Sequence, residues 1–157
     1  MKKALYSFVI GGTALLSACA NMGGGSGPVA VSETVALDAP AAEVWSLVGE
    51  FNDMERWHPA VKISKQLAEY RHLILQDDSV IVEEETGRDD AAMTYSYKIL
   101  SGPLPVSNYQ STITVTAISA NKSSVTWSST FTPESADAAG TIRDVYQAGL
   151  DKLDMMY

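Results

Sequence analysis

Between residues 61 and 131 the chain alternates apolar and polar side chains in six successive stretches, 61–67, 70–76, 80–86, 93–100, 108–118 and 123–131. A period of two is the mark of a half-buried strand. Several of the stretches are separated by turn-forming residues: Asp77-Asp78, Gly87 to Asp90, Ser101 to Pro105, and Ala120-Asn121-Lys122. Connections this short join antiparallel neighbours, so the middle of the chain is predicted to be a meander. A sheet with one apolar face needs a cover. The segment 137–155 supplies one, because Ile142, Val145, Tyr146, Gly149, Leu150 and Leu153 fall on a single stripe at helical spacing.

Ahead of the meander, VAVSETVAL at 29–37 reads as a further strand. Residues 40–49 read as a short helix, with Pro40 in its first turn and Val44, Leu47 and Val48 on one face. Asn52 and Glu55 have the spacing of a capping pair and predict a second short helix, ended by Pro59. The expected fold is therefore α+β: a curved antiparallel sheet of about seven strands wrapped around a long C-terminal helix, with two short helices after the first strand. Gly149 costs helix propensity on the buried stripe, which predicts either close approach of the sheet or room for a ligand at that point.

The N-terminus is read separately. MKKALYSFVIGGTALLSAC opens with Lys2 and Lys3 and continues into an apolar run too short to span a bilayer comfortably. Leu16-Ser17-Ala18-Cys19 resembles the lipobox of bacterial lipoproteins, which implies a signal peptide over 1–18 and lipidation of Cys19. Cys19 is the sole cysteine, so it has no partner for an intramolecular disulfide. Ala20, rather than aspartate, follows it, a resemblance to lipoproteins that reach the outer membrane. The glycine-rich stretch 19–28 reads as a tether, and 29–157 as one domain. Without Lys2 and Lys3 the count is 9 basic against 19 acidic residues, a net charge near −10. Nucleic acid and anionic lipid surfaces are poor partners for such a chain. The partner expected through the lipid anchor is a membrane in the bacterial cell envelope.

Strand alternation sorts the candidate pocket residues. Tyr95, Tyr97 and Ile99 share a face; Tyr109, Ser111, Ile113 and Val115 share another; Val125, Trp127, Ser129 and Phe131 go together; Tyr146 lies on the helix stripe. Such aromatics are commonly plain core, yet their polar tips need partners once buried. Arg71 and Glu83 form the sharpest pair. A three-residue turn centred near Asp78 sets them side by side on one face, whereas a two-residue turn sets Arg71 beside Val82 and Glu84. Such a pair orients a ligand's carbonyl or hydroxyl, or serves as a structural ion pair; Glu83 is also the one weak candidate for acid-base catalysis. His58, between Trp57 and Pro59, reads as a cap on the carbonyls ending the second helix, with contact to ligand at a pocket mouth as the alternative. His72 falls on the opposite strand face from Arg71, so no set of metal ligands converges, and neither a metal nor another cofactor is expected. No serine stands in a nucleophile elbow.

The stretches VWSLVGEFNDMERWHP (44–59), YRHLILQDDSVIVEE (70–84), MTYSYKILSGPLPVSNY (93–109), VTWSSTF (125–131) and VYQAGLDKL (145–153) together resemble the START-like (SRPBCC) superfamily, in its polyketide cyclase/dehydrase branch. The resemblance implies a helix-grip fold around a pocket for a small, largely apolar molecule. It also implies the three-residue turn, since Arg71 and Glu83 match an arginine and a glutamate usual in the family. Relatives commonly carry glycine where this chain has Ala68 and Glu69, and often in the hairpin of Asp77-Asp78. The expected function is ligand binding in an internal cavity, through Trp57, His58, Arg71, Glu83, Tyr95, Tyr97, Tyr109, Trp127 and Tyr146. A cyclase, dehydratase or hydrolytic enzyme using the same cavity is one alternative, and an envelope interaction protein with a vestigial cavity is another. The loop 101–105 reads equally as a lid or as a rigid connection.

Overall fold

The computed structural model describes residues 27–157; the predicted signal peptide, Cys19 and most of the tether lie outside the described residues. Seven strands form one sheet in the order β1-β7-β6-β5-β4-β3-β2, every pair antiparallel. They are β1 (Val29–Leu37), β2 (Val61–Leu67), β3 (Tyr70–Leu75), β4 (Val80–Asp89), β5 (Thr94–Ser101), β6 (Val106–Ser119) and β7 (Lys122–Pro133). Helix α1 (Ala41–Val48) follows β1, and the long helix α2 (Ala138–Asp154) ends the chain.

Strands β3, β5 and β7 bury alternate side chains, which is how the period-two sequence becomes a one-faced core. On α2, Ile142, Tyr146, Leu150 and Leu153 are buried, joined by Val44, Leu47 and Val48 of α1. The sheet, closed by the helix, matches the helix-grip architecture expected from the sequence.

Three expectations change. The second short helix is a single 3-10 turn, Met54–Arg56, and no side chain caps it. Asn52 instead donates to the Gln66 side chain of β2 at 3.2 Å, so the apparent capping pair is used for a tertiary contact. Strand β4 runs on through Gly87 and Arg88, which were expected to turn; a register shift between Glu85 and Gly87 absorbs one residue and lets the pairing with β5 continue. Strand β6 starts earlier than predicted, at Val106, with a register shift between Ser107 and Gln110 where Asn108 takes φ 52°.

The turns without glycine are made by residues in the left-handed region. Ala68 (φ 56°) is the first central residue of the two-residue turn joining Leu67 to its partner Tyr70. Asp78 (φ 64°) closes the turn from β3 to β4. That turn spans three residues, as the Leu75 N–H bonds the Ser79 carbonyl at 2.9 Å. Its centre is Asp77 rather than Asp78, and Asp77 holds both the backbone and the hydroxyl of Ser79.

Candidate functional site

The three-residue turn fixes the register, and the register sets Arg71 of β3 directly opposite Glu83 of β4 on the inner face. Both are buried, at 1% and 3% exposure. Arg71 Nε donates to Glu83 Oε2 at 2.7 Å. Nη2 lies at the same distance from that oxygen, near enough for an ion pair but not aligned for a hydrogen bond. Nη1 donates to the Phe51 carbonyl, and the guanidinium lies 3.7 Å from the centre of the Phe51 ring. Burial pushes the Glu83 carboxyl above the usual carboxylate range, and the adjacent guanidinium pulls it back only in part.

A second cluster joins β5, β6, β7 and α2. The Trp127 indole N–H is shared between the Tyr97 hydroxyl and Ser111 Oγ, each at 3.0 Å. Ser111 in turn donates to the Ser128 carbonyl at 2.8 Å. The Tyr109 and Tyr146 hydroxyls bond each other, and Trp127 stacks on Tyr146 with centroids 4.3 Å apart. Burial raises the phenols of Tyr97 and Tyr109 well above their ordinary range and that of Tyr95 to about 12, so all three stay protonated and able to donate. These side chains thus line the space between sheet and helix and pack on one another there.

His58 departs from its predicted role. It does not cap the preceding turn: Nδ1 accepts the Ala60 N–H at 3.2 Å, which leaves the proton on Nε2, and Nε2 lies 2.9 Å from the Val145 carbonyl in mid-α2. Pro59 follows immediately and the chain turns toward β2, so the ring is aimed across the interior and away from the carbonyls behind it. Burial lowers its pKa, and the donation to Val145 only partly offsets that. Trp57 packs edge-on against Trp127, with ring centres 5.5 Å apart. The close approach at Gly149 now has a cause, for a Cβ there would lie 2.8 Å from His58, 3.1 Å from Trp57 and 3.2 Å from Trp127.

All nine predicted ligand-binding residues are buried: six on the sheet, Tyr146 on α2, and Trp57 and His58 in the connection ahead of β2. Arg71, Glu83, Tyr95 and Tyr97 group around Phe51; Trp57, His58, Trp127 and Tyr146 group around Gly149 and the middle of α2. Tyr109 reaches both groups through Tyr97 and Tyr146. Sequence reasoning gave Phe51 no role, and only its place in a loop just ahead of the 3-10 turn hinted at one. Among the described residues, the buried donors without a hydrogen-bond partner include the Tyr95 hydroxyl, Trp57 Nε1 and the hydroxyls of Ser64, Ser123 and Ser129.

Among the described residues, two depressions stand out on the surface. One of about 370 Å³ is lined by Ile99, Leu104, Val106, Ser107, Tyr109 and Glu134 among others, and is rimmed by the loop 101–105. The other, of about 320 Å³, lies on the opposite sheet face among Ser32, Ser96, Thr112 and Ser128. There Ser96 and Thr112 bond each other at 2.7 Å across the strands, as suits a solvated sheet face. The first adjoins the inner cluster through Tyr109, and the second touches it through Ser111.

Residues 28–155 match the family described as polyketide cyclase / dehydrase and lipid transport. Among solved structures, the chain is similar to the protein XoxI from Bacillus cereus, at 34% identity and TM-score 0.79 over 82% of this chain and 94% of that one. An uncharacterised protein from Bacillus thuringiensis is similar at 32% identity and TM-score 0.79, over 82% and 98% of the two chains. A START superfamily protein from Mycobacterium smegmatis shares the fold at 15% identity and TM-score 0.62, over 79% and 90%. No curated protein matches the sequence. With nearly the whole domain matched, this chain belongs to the polyketide cyclase / dehydrase and lipid transport family.

Proposed function

We propose that this protein is lipid-anchored in the bacterial envelope, on the periplasmic face of the outer membrane, and binds a small hydrophobic or aromatic molecule between the sheet and α2. The family and fold support a ligand-binding or cyclase-like function; the anchor rests on the sequence of residues 1–19 alone. The observation that carries the reading is a pair of buried donors with no acceptor, the Tyr95 hydroxyl and Trp57 Nε1. A buried polar group without a partner costs about 1–3 kcal/mol, and two such donors in the interior call for something that accepts from them. Because Glu83 already balances the charge of Arg71, the acceptor that suits the site is a neutral oxygen, as in a carbonyl, carried on an apolar or aromatic frame that packs among the rings. Buried water is the competing occupant.

Binding rather than catalysis is favoured by Glu83 itself. Its Oε2 is held by Arg71 Nε, so moving a proton would first mean breaking a buried ion pair. Native mass spectrometry of residues 28–157 purified from the native envelope tests the reading. Binding predicts a co-purifying molecule of defined mass, lost in Arg71→Ala and Tyr97→Ala. An unliganded mass, together with no uptake from a panel of apolar carbonyl compounds, would contradict it. If a bound compound emerges chemically altered, and Glu83→Gln blocks the change without releasing the compound, the protein is an enzyme.

A further inference from the structure

Antiparallel pairing gathers a specific set of features at one end of the sheet. Val29 at the start of β1 pairs with Phe131, and Val106 at the start of β6 pairs with Pro133. The Glu134 N–H then bonds the Pro105 carbonyl at 2.8 Å, tying the loop 101–105 to the end of β7. The 370 Å³ bowl therefore opens at the end where the chain enters β1. At the far end are the turns at Ala68-Glu69, residues 90–93 and Ala120-Asn121.

Eight residues lie between Cys19 and Pro28. By composition a glycine-rich segment of that length has a root-mean-square span of about 16 Å, whereas β1 alone rises about 30 Å over its nine residues at the usual strand spacing. Bringing the far end to the membrane would require the tether to run out along the whole domain, at a cost in chain entropy. Bringing the bowl there requires nothing of the kind. Exposed apolar residues do not decide between the ends, since Leu100 (44%) and Val80 (42%) sit near the bowl while Ile118 (59%) and Met155 (80%) sit at the other end. The tether decides.

The geometry points to the bowl end of the sheet as the face turned toward the bilayer, resting on the lipid-anchored reading above. Its chemistry suits a zwitterionic surface: the loop offers Leu100, Pro103, Leu104 and Pro105, while Asp77, Asp78, Glu134 and Asp137 outnumber Lys62 at this end and would repel anionic headgroups. Tyr109 forms part of the bowl wall, and its hydroxyl reaches Tyr146 inside. With this end at the bilayer, the bowl beside Tyr109 is where an apolar ligand would leave the membrane.

Quenching depth tests this on the full chain, lipidated by its host and reconstituted in phosphatidylcholine vesicles. A bimane label is placed on Ser101→Cys or Glu134→Cys at the bowl end, or on Asn121→Cys at the far end, and lipids carry a nitroxide at the headgroup. Several-fold stronger quenching at residues 101 and 134 than at 121 is expected. Equal or reversed quenching in protein that floats with the vesicles would overturn the orientation while leaving the anchor standing. Failure to float would overturn the anchor, and the orientation with it. Quenching as expected in protein that carries no ligand would uphold the orientation and count only against ligand binding.

Discussion

His58 reaches across 87 residues of sequence to place Nε2 at 2.9 Å from the Val145 carbonyl, so a side chain just ahead of β2 is bonded into the middle of α2. With Nδ1 taken up by the Ala60 N–H, the ring is held neutral. The arrangement locks sheet to helix at the point where Trp57 and Trp127 come closest to Gly149.

The lowered pKa of His58 makes this lock sensitive to acid. In the unfolded chain the ring takes a proton near pH 6.5, while the folded protein resists it to lower pH, so the unfolded state binds more protons in between. Its contribution is present above about pH 6.5 and is lost as pH falls toward the folded value, at no more than about 1.4 kcal/mol per pH unit. His58→Gln should be less stable than wild type at pH 7.5, and the difference should shrink on going to pH 5.5. Urea midpoints across that range check it.

Gly149→Ala should destabilise the protein by about 1–3 kcal/mol, although alanine is the better helix former by about 1 kcal/mol. A methyl group 2.8 Å from His58 and 3.1 Å from Trp57 forces the rings or the helix to move. Thermal unfolding of the single variant is sufficient to measure this.

Removing one member of the buried ion pair should cost more than removing both. Arg71→Met leaves a buried carboxyl and an unpartnered Phe51 carbonyl, for an expected loss of about 3–5 kcal/mol. Arg71→Met with Glu83→Leu should recover much of that loss in denaturant titrations and still fail to retain ligand.

Ala68→Gly should stabilise the fold by about 0.5–1 kcal/mol, because Ala68 occupies a left-handed position that glycine adopts without strain. An upward shift of a few degrees in Tm with an unchanged far-ultraviolet spectrum is the expected result.

What the sequence made legible follows from what is local. Strand alternation placed Tyr95, Tyr97, Tyr109 and Trp127 on the inner face, and the helical stripe placed Tyr146 opposite them, because both depend only on residues a few positions apart. The Arg71–Glu83 pairing turned on one residue of turn length, which periodicity left open and Asp77 and Asp78 settled through a side-chain bond and a left-handed backbone. His58 was misread as a cap because its carbonyl partner lies on another element. Asn52 was misread for the same reason, its partner being Gln66. The role of Phe51 was hidden because its carbonyl is what Arg71 uses, and a carbonyl leaves no mark in the residue type.

The Trp57 indole offers the most direct measurement of the central proposal, that the inner donors hold a ligand. Its Nε1–H has no protein acceptor, whereas that of Trp127 is already bonded to Tyr97 and Ser111. Indole nitrogen–proton spectra of ligand-stripped and ligand-loaded protein should show the Trp57 resonance moving downfield and exchanging more slowly on loading, with that of Trp45 unmoved. A Trp57 resonance identical in both states, at full loading by mass, would place the ligand elsewhere and contradict the proposed site.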